Sequence, residues 1–141
     1  MTKAFISGIL GQDGAYLAEF LLKKGYEVYG GSRRNSQDEL YRLQVLGIED
    51  EVSLVPFDLL DPYNVFETVS AGQFDEFYNL AAQSFVGSSW ETPVVTSNTD
   101  AMGPLYILDA IKRNSPHTKF YQASTSEMFG LIQEPRQSER T

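Results

Sequence analysis

An apolar run that ends in three evenly spaced glycines constrains this chain more than any other feature. Ala4-Phe5-Ile6-Ser7-Gly8-Ile9-Leu10-Gly11-Gln12-Asp13-Gly14 carries the spacing Gly8-x-x-Gly11-x-x-Gly14, and a helical pattern follows at once. Leu17, Phe20 and Leu21 recur at i, i+3 and i+4, and Gly25 stands where a helix C-cap is expected. Glycines so placed permit a tight turn, let backbone approach a pyrophosphate, and let helix and strand pack closely, with the helix N-terminus toward the phosphates. The glycines alone fit an ordinary turn as well. The strand-turn-helix setting favours a dinucleotide site.

The rest of the chain alternates strand and helix. Tyr26 to Gly31 is a second strand, and Ser32-Arg33-Arg34-Asn35-Ser36 follows it. NAD-binding chains place a carboxylate in this zone for the ribose hydroxyls. Two guanidiniums stand here instead, which suit a 2′-phosphate and favour NADP, unless they are a solvated basic loop. Leu40, Leu43 and Leu46 suggest a short helix over 37–47. Val52 to Phe57 is a third strand, put at the sheet edge by Pro56. Asp58-Leu59 follow it, where they could meet an adenine ring; turn chemistry explains Asp58 equally well. Asp61-Pro62 reads as an N-cap with proline at N1, opening a helix with Val65, Phe66 and Val69 that stops near Gly72. Phe74 to Leu80 is a fourth strand running into Ala81-Ala82-Gln83-Ser84, small residues that let a ligand approach or simply pack tightly. Thr92-Pro93 opens a helical segment through Asn114 with Leu105, Leu108 and Ile111 apolar, and Pro104 demands a kink or a later start. His117 is a surface residue, and Lys119 to Ala123 is the fifth strand. The expectation is an α/β fold, a doubly wound parallel sheet of order 3-2-1-4-5, with the ligand across the strand carboxyl ends near Gly8 and Ala81.

One domain over 1–141 is expected from the length. A net charge of -8 makes nucleic acid and anionic membrane poor partners. No cysteine is present, so disulfides and thiolate metal sites are excluded. The N-terminal apolar run is too short for a signal peptide or a membrane span, which makes the cytoplasm the default location.

After the fifth strand, Ser124-Thr125-Ser126-Glu127 offers hydroxyls and a carboxylate, equally the makings of a plain polar turn. The G-x-x-G-x-x-G spacing resembles the extended short-chain dehydrogenase/reductase superfamily, whose doubly wound sheet is of the Rossmann type. Gly8-Ile9-Leu10-Gly11-Gln12-Asp13-Gly14-Ala15-Tyr16-Leu17, Asn79-Leu80-Ala81-Ala82-Gln83-Ser84 and Phe120 to Gly130 resemble the GDP-mannose 4,6-dehydratase family over the whole chain. The resemblance implies NADP held by Gly8, Ile9, Leu10, Gly11, Gln12, Asp13 and Gly14, by Arg33, by Asp58 and Leu59, and by Leu80, Ala81, Ala82, Gln83 and Ser84. Val95 stands where that family often has a tyrosine near the cofactor.

By the same match Thr125 is a catalytic hydroxyl, Glu127 the acid/base, and Ser84, Thr125, Ser126 and Glu127 face the substrate, GDP-mannose. The implied reaction is elimination of water through an internal hydride cycle, by a homodimer or homotetramer. The family's Tyr-x-x-x-Lys pair and substrate domain have no counterpart within 1–141, so the chain is expected to be an N-terminal portion, inactive alone. A nucleotide-sugar reductase or epimerase of the superfamily, or a non-catalytic NADP-sensing module, are the rival readings.

Overall fold

The computed structural model describes residues 1–33 and 40–141. Arg34, Asn35 and Ser36 of the basic stretch lie outside them. Five strands form one parallel sheet: β1 (Lys3–Ser7), β2 (Glu27–Ser32), β3 (Ser53–Pro56), β4 (Glu76–Asn79) and β5 (Lys119–Gln122). Their order is β3-β2-β1-β4-β5, the order expected from the sequence. All four pairings are parallel, as helical crossovers require. Pro56, lacking an N–H, closes the edge strand β3.

Central β1 is covered on both faces, which explains its unbroken apolar run. Alternate residues divide between two cores. Ala4 and Ile6 join Ile9, Leu10 and Val28 beneath α1 (Gln12–Lys23) and α2 (Tyr41–Leu46), with Ala15, Ala18, Leu21 and Leu43 from the helices. Phe5 faces the other way, under α3 (Pro62–Gly72) and α6 (Gly103–Asn114), among Val65, Val69, Ile107, Ala110 and Ile111. Its ring stacks on Phe77 at 4.7 Å and meets Phe57 and Phe74 at 5.0 Å. Such pairs add about 0.5–1.5 kcal/mol each beyond burial.

Asp61 caps α3, accepting from the N–H groups of Tyr63 and Asn64 at 3.1 Å, with Pro62 next in line. Two helix faces differ from the expected ones. On α1 the buried face is Gly14, Ala15, Ala18 and Leu21, while Phe20 is exposed beneath the Lys24 ammonium. Small residues win because the helix lies so close to the sheet. On α6 the buried face is Gly103, Ile107, Ala110 and Ile111, and Leu105 and Leu108 are exposed.

The segment read from Thr92 is interrupted and its main helix starts later, as Pro104 demands, and an additional short helix precedes Thr92. Helices α4 (Val86–Glu91) and α5 (Pro93–Ser97) lead into a π-helical turn, Asn98–Met102, and Pro104 falls in the first turn of α6. There its missing N–H costs no helix bond. Among the described residues no helix is long and apolar enough to cross a membrane, and no acidic, histidine or cysteine cluster could hold a metal.

Candidate functional site

All five strands point their carboxyl ends to one side of the sheet, and four of the loops there enclose a cleft of about 520 Å³. The first loop is the glycine turn. Gly8 adopts φ +72°, a conformation that side chains disfavour, and a β-carbon on it would stand 2.9 Å from the Ala81 nitrogen. Gly11 N–H donates to the Gly8 carbonyl at 3.0 Å, and Gly11 then begins α1 with no side chain to cap it. The uncapped first turn presents N–H groups and the positive end of the helix dipole beside the cleft. Gly14 is needed for packing: a β-carbon there would meet the Gly8 carbonyl oxygen at 2.3 Å.

A polar row lies beneath the cleft. Ser7, Asn79 and Gln122 are register partners on β1, β4 and β5. The Ser7 hydroxyl donates to Asn79 Oδ1 at 2.5 Å, and Asn79 Nδ2 donates to Gln122 Oε1 at 2.8 Å. Ser7 Oγ also accepts from the backbone N–H groups of Leu80 and Ala81, each at 3.2 Å. Ser7 and Asn79 are fully buried.

Other contacts hold the remaining loops. Asp58 Oδ1 accepts from Leu60 N–H at 2.9 Å, and Asn64 clips the same loop through Asp58 N–H and the Pro56 carbonyl. Asp58 therefore does turn work and also lines the cleft. Asp100, on the π-helical turn, accepts from Gln83 N–H at 2.8 Å. Arg42 of α2 donates to the Leu10 carbonyl at 3.0 Å and so braces the glycine turn.

Gly8, Leu10, Gly11, Arg33, Asp58, Leu59, Leu80, Ala81, Ala82, Gln83, Ser84 and Val95 line this single cleft. Four residues of the glycine stretch do not. Ile9 is fully buried in the core, Gly14 is buried against the turn, and Gln12 and Asp13 are exposed at the first turn of α1. Thr125 and Glu127 are exposed on the loop after β5, where Ser126–Phe129 form a 3-10 turn; neither Thr125 nor Glu127 lines the cleft, and the Ser126 side chain lies outside what the structure describes. Thr125 Oγ1 accepts from Glu127 N–H at 3.1 Å, which leaves its own hydrogen to donate. The chain enters this loop through Ser124 at φ +60°.

Sequence reasoning missed Gly31, Ser32, Phe57, Leu60, Phe85 and Thr99, which complete the lining. The first four flank predicted strand ends and were accessible to it. Phe85 stands at the start of α4, a helix that the sequence does not announce, and Thr99 on the π-helical turn, which interrupts the helical pattern read from Thr92.

Residues 5–141 match a family profile described as GDP-mannose 4,6 dehydratase. A relative named GDP-mannose 4,6-dehydratase from Yersinia enterocolitica is 48% identical across 100% of this chain and 40% of its own length. One of that name from Homo sapiens is 45% identical across 98% of this chain and 39% of its own. The chain thus spans about two fifths of the length of these relatives. Among solved structures, the UDP-Glc/GlcNAc 4-epimerase of Campylobacter jejuni superposes with a TM-score of 0.86 at 22% identity, over 99% of this chain and 42% of that one. The UDP-glucose 4-epimerase of Bifidobacterium longum, in complex with NAD+ and UDP, gives 0.84 at 21%, over 98% and 41%. These two show the shared fold.

Proposed function

The chain belongs to the GDP-mannose 4,6-dehydratase family, and from that premise we propose that the protein dehydrates GDP-mannose to GDP-4-keto-6-deoxymannose with NADP held in the cleft. The observation that carries this reading is the convergence of Gly8, Leu10 and Gly11, of Arg33, of Asp58 and Leu59, and of Leu80 to Ser84 on one cleft at the strand carboxyl ends. The cradle suits a dinucleotide. A β-carbon on Gly8 would close the approach to Ala81, and the uncapped start of α1 suits a pyrophosphate. The NAD+ held by the Bifidobacterium enzyme of the same fold supports a nicotinamide cofactor here. Arg33 on the lining supports the 2′-phosphorylated form, because a guanidinium matches phosphate geometry.

The glycine turn, Arg33 and the loops at Asp58 and Leu80 would hold NADP there, and its chemistry would be reversible hydride transfer between C4 and C6 of the mannosyl unit. The Thr125 hydroxyl, its oxygen already accepting from Glu127 N–H, would donate to the oxygen on C4 and orient the ring. A ketone at C4 acidifies the proton on C5. The Glu127 carboxylate would take that proton and give one to the C6 hydroxyl as it departs as water; the C4 hydroxyl gives up a proton as the ketone forms and C5 regains one as hydride reaches C6, so the sugar loses only water. Ser84, on the cleft lining, would meet the substrate from the β4 side. Incubating the full-length protein with GDP-mannose and catalytic NADP should give the 4-keto-6-deoxy product with no net change in the cofactor, whereas residues 1–141 alone should give none. Failure to form that product, or stoichiometric consumption of NADPH, would sink the reading; the second outcome marks a reductase.

A further inference from the structure

We propose that Gln122 is a positioning residue that ties the floor of the cleft to the loop bearing Thr125 and Glu127, an inference that rests on the reading of that loop given above. The direction of each hydrogen bond in the polar row follows from the backbone. Leu80 and Ala81 N–H can only donate, so they occupy the lone pairs of Ser7 Oγ. Ser7 must then donate its hydrogen, and Asn79 must turn its carbonyl oxygen to receive it. That leaves the Asn79 NH2 group facing β5, where it needs an acceptor. Gln122 Oε1, at 2.8 Å, supplies one. The orientation of the Gln122 amide is therefore dictated from two strands away, by groups that also shape the turn at Ala81.

Gln122 is the last residue of β5, and the loop leaves the sheet two residues later through Ser124 at φ +60°. Non-glycine residues rarely hold that conformation unless their surroundings impose it. An anchored strand end just before a forced turn fixes where Thr125 and Glu127 emerge. Gln122 itself is exposed, so its side chain is kept for this bond and not for burial.

The test is a series in the full-length protein: Gln122→Leu, Gln122→Glu and Glu127→Gln, each read for kcat, KM for GDP-mannose, Kd for NADP and melting temperature. Leucine fills similar space without an acceptor, whereas glutamate keeps one. Misplacing a reacting group by about 1 Å can cost about 100-fold, and Gln122→Leu is expected to lose kcat on that scale. Its Kd for NADP should stay near wild type, while its melting temperature should fall, because the buried Asn79 NH2 is left without an acceptor. Gln122→Glu should recover most of the lost turnover. Wild-type kcat in Gln122→Leu, or an equal loss in Gln122→Glu, overturns the proposal. If Glu127→Gln turns over like wild type, the reading of the loop fails and takes this proposal with it. A dead Glu127→Gln beside an unimpaired Gln122→Leu condemns the role of Gln122 alone.

Discussion

Gly14→Ala sets two physical effects of opposite sign against each other. Gly14 is a helical residue of α1, and alanine is favoured over glycine in a helix by about 1 kcal/mol. Propensity alone therefore expects a more stable protein. The structure expects the reverse. A β-carbon at Gly14 would lie 2.3 Å from the Gly8 carbonyl oxygen, 2.6 Å from Ile9 Cα and 2.9 Å from the Ile9 carbonyl carbon. Ordinary contact begins near 3.4 Å, so the worst approach is short by about 1.1 Å.

All three are backbone atoms of the turn and none can rotate away. The start of α1 must move, at the upper end of the about 1–3 kcal/mol that overpacking costs. Net of propensity, a loss of about 2 kcal/mol is expected. The movement carries Gly11 and the helix N-terminus away from the cleft, so affinity for NADP should fall as well. Urea unfolding gives the first quantity, through a lower midpoint at unchanged slope, and cofactor titration the second. Gly47→Ala is the control. Gly47 sits at φ +66°, and a β-carbon there would find nothing within 4 Å, so alanine should cost about 1–2 kcal/mol of backbone strain and leave NADP affinity alone. A Gly14→Ala protein more stable than wild type, or one destabilised with unchanged affinity, would refute the steric argument.

Arg33→Ala should weaken NADP binding by about 1.5–3 kcal/mol, the worth of hydrogen bonds to a charged group, and leave NAD binding little changed. Equal NAD and NADP affinity in the wild type would end that argument. Ser7→Ala removes the acceptor of two backbone N–H groups and the donor to Asn79, and should lower stability by about 1–3 kcal/mol in denaturant unfolding. Tyr78 has its pKa raised, first by burial and then by its hydrogen bond to Glu76 at 2.6 Å. The folded phenol therefore holds its proton above pH 10.0, where the unfolded chain releases it. The stabilisation is complete below pH 10.0 and is lost as pH rises beyond it, so Tyr78→Phe should flatten the alkaline fall in melting temperature.

What the sequence made legible was fixed locally. The glycine turn, the Asp61-Pro62 cap and the edge position of Pro56 each follow from the stereochemistry of one or two residues. Strand order followed from alternation and handed crossovers, which need no side-chain detail. Helix faces were legible in part: Leu21 of α1 and Ile111 of α6 face inward at their expected spacing, whereas Phe20, Leu105 and Leu108 are exposed. Where α1 begins against the glycine turn the distance between backbones decides, and small residues, Gly14, Ala15 and Ala18, are buried there, with Leu21 a turn farther on.

The residues that support the cleft were less legible than those that line it, for a reason of register. Ser7 and Asn79 are 72 positions apart, and Asn79 and Gln122 are 43 apart. In parallel strands joined by helices no turn geometry sets the pairing, and a slip of one residue would turn Asn79 to the opposite face. Their meeting is a consequence of the whole sheet. In the sequence each is an isolated polar residue at a strand end, and such residues most often hydrogen-bond to water. Only the observed register shows that the three form one directed chain, in which the donor left over at Asn79 demands the acceptor on Gln122.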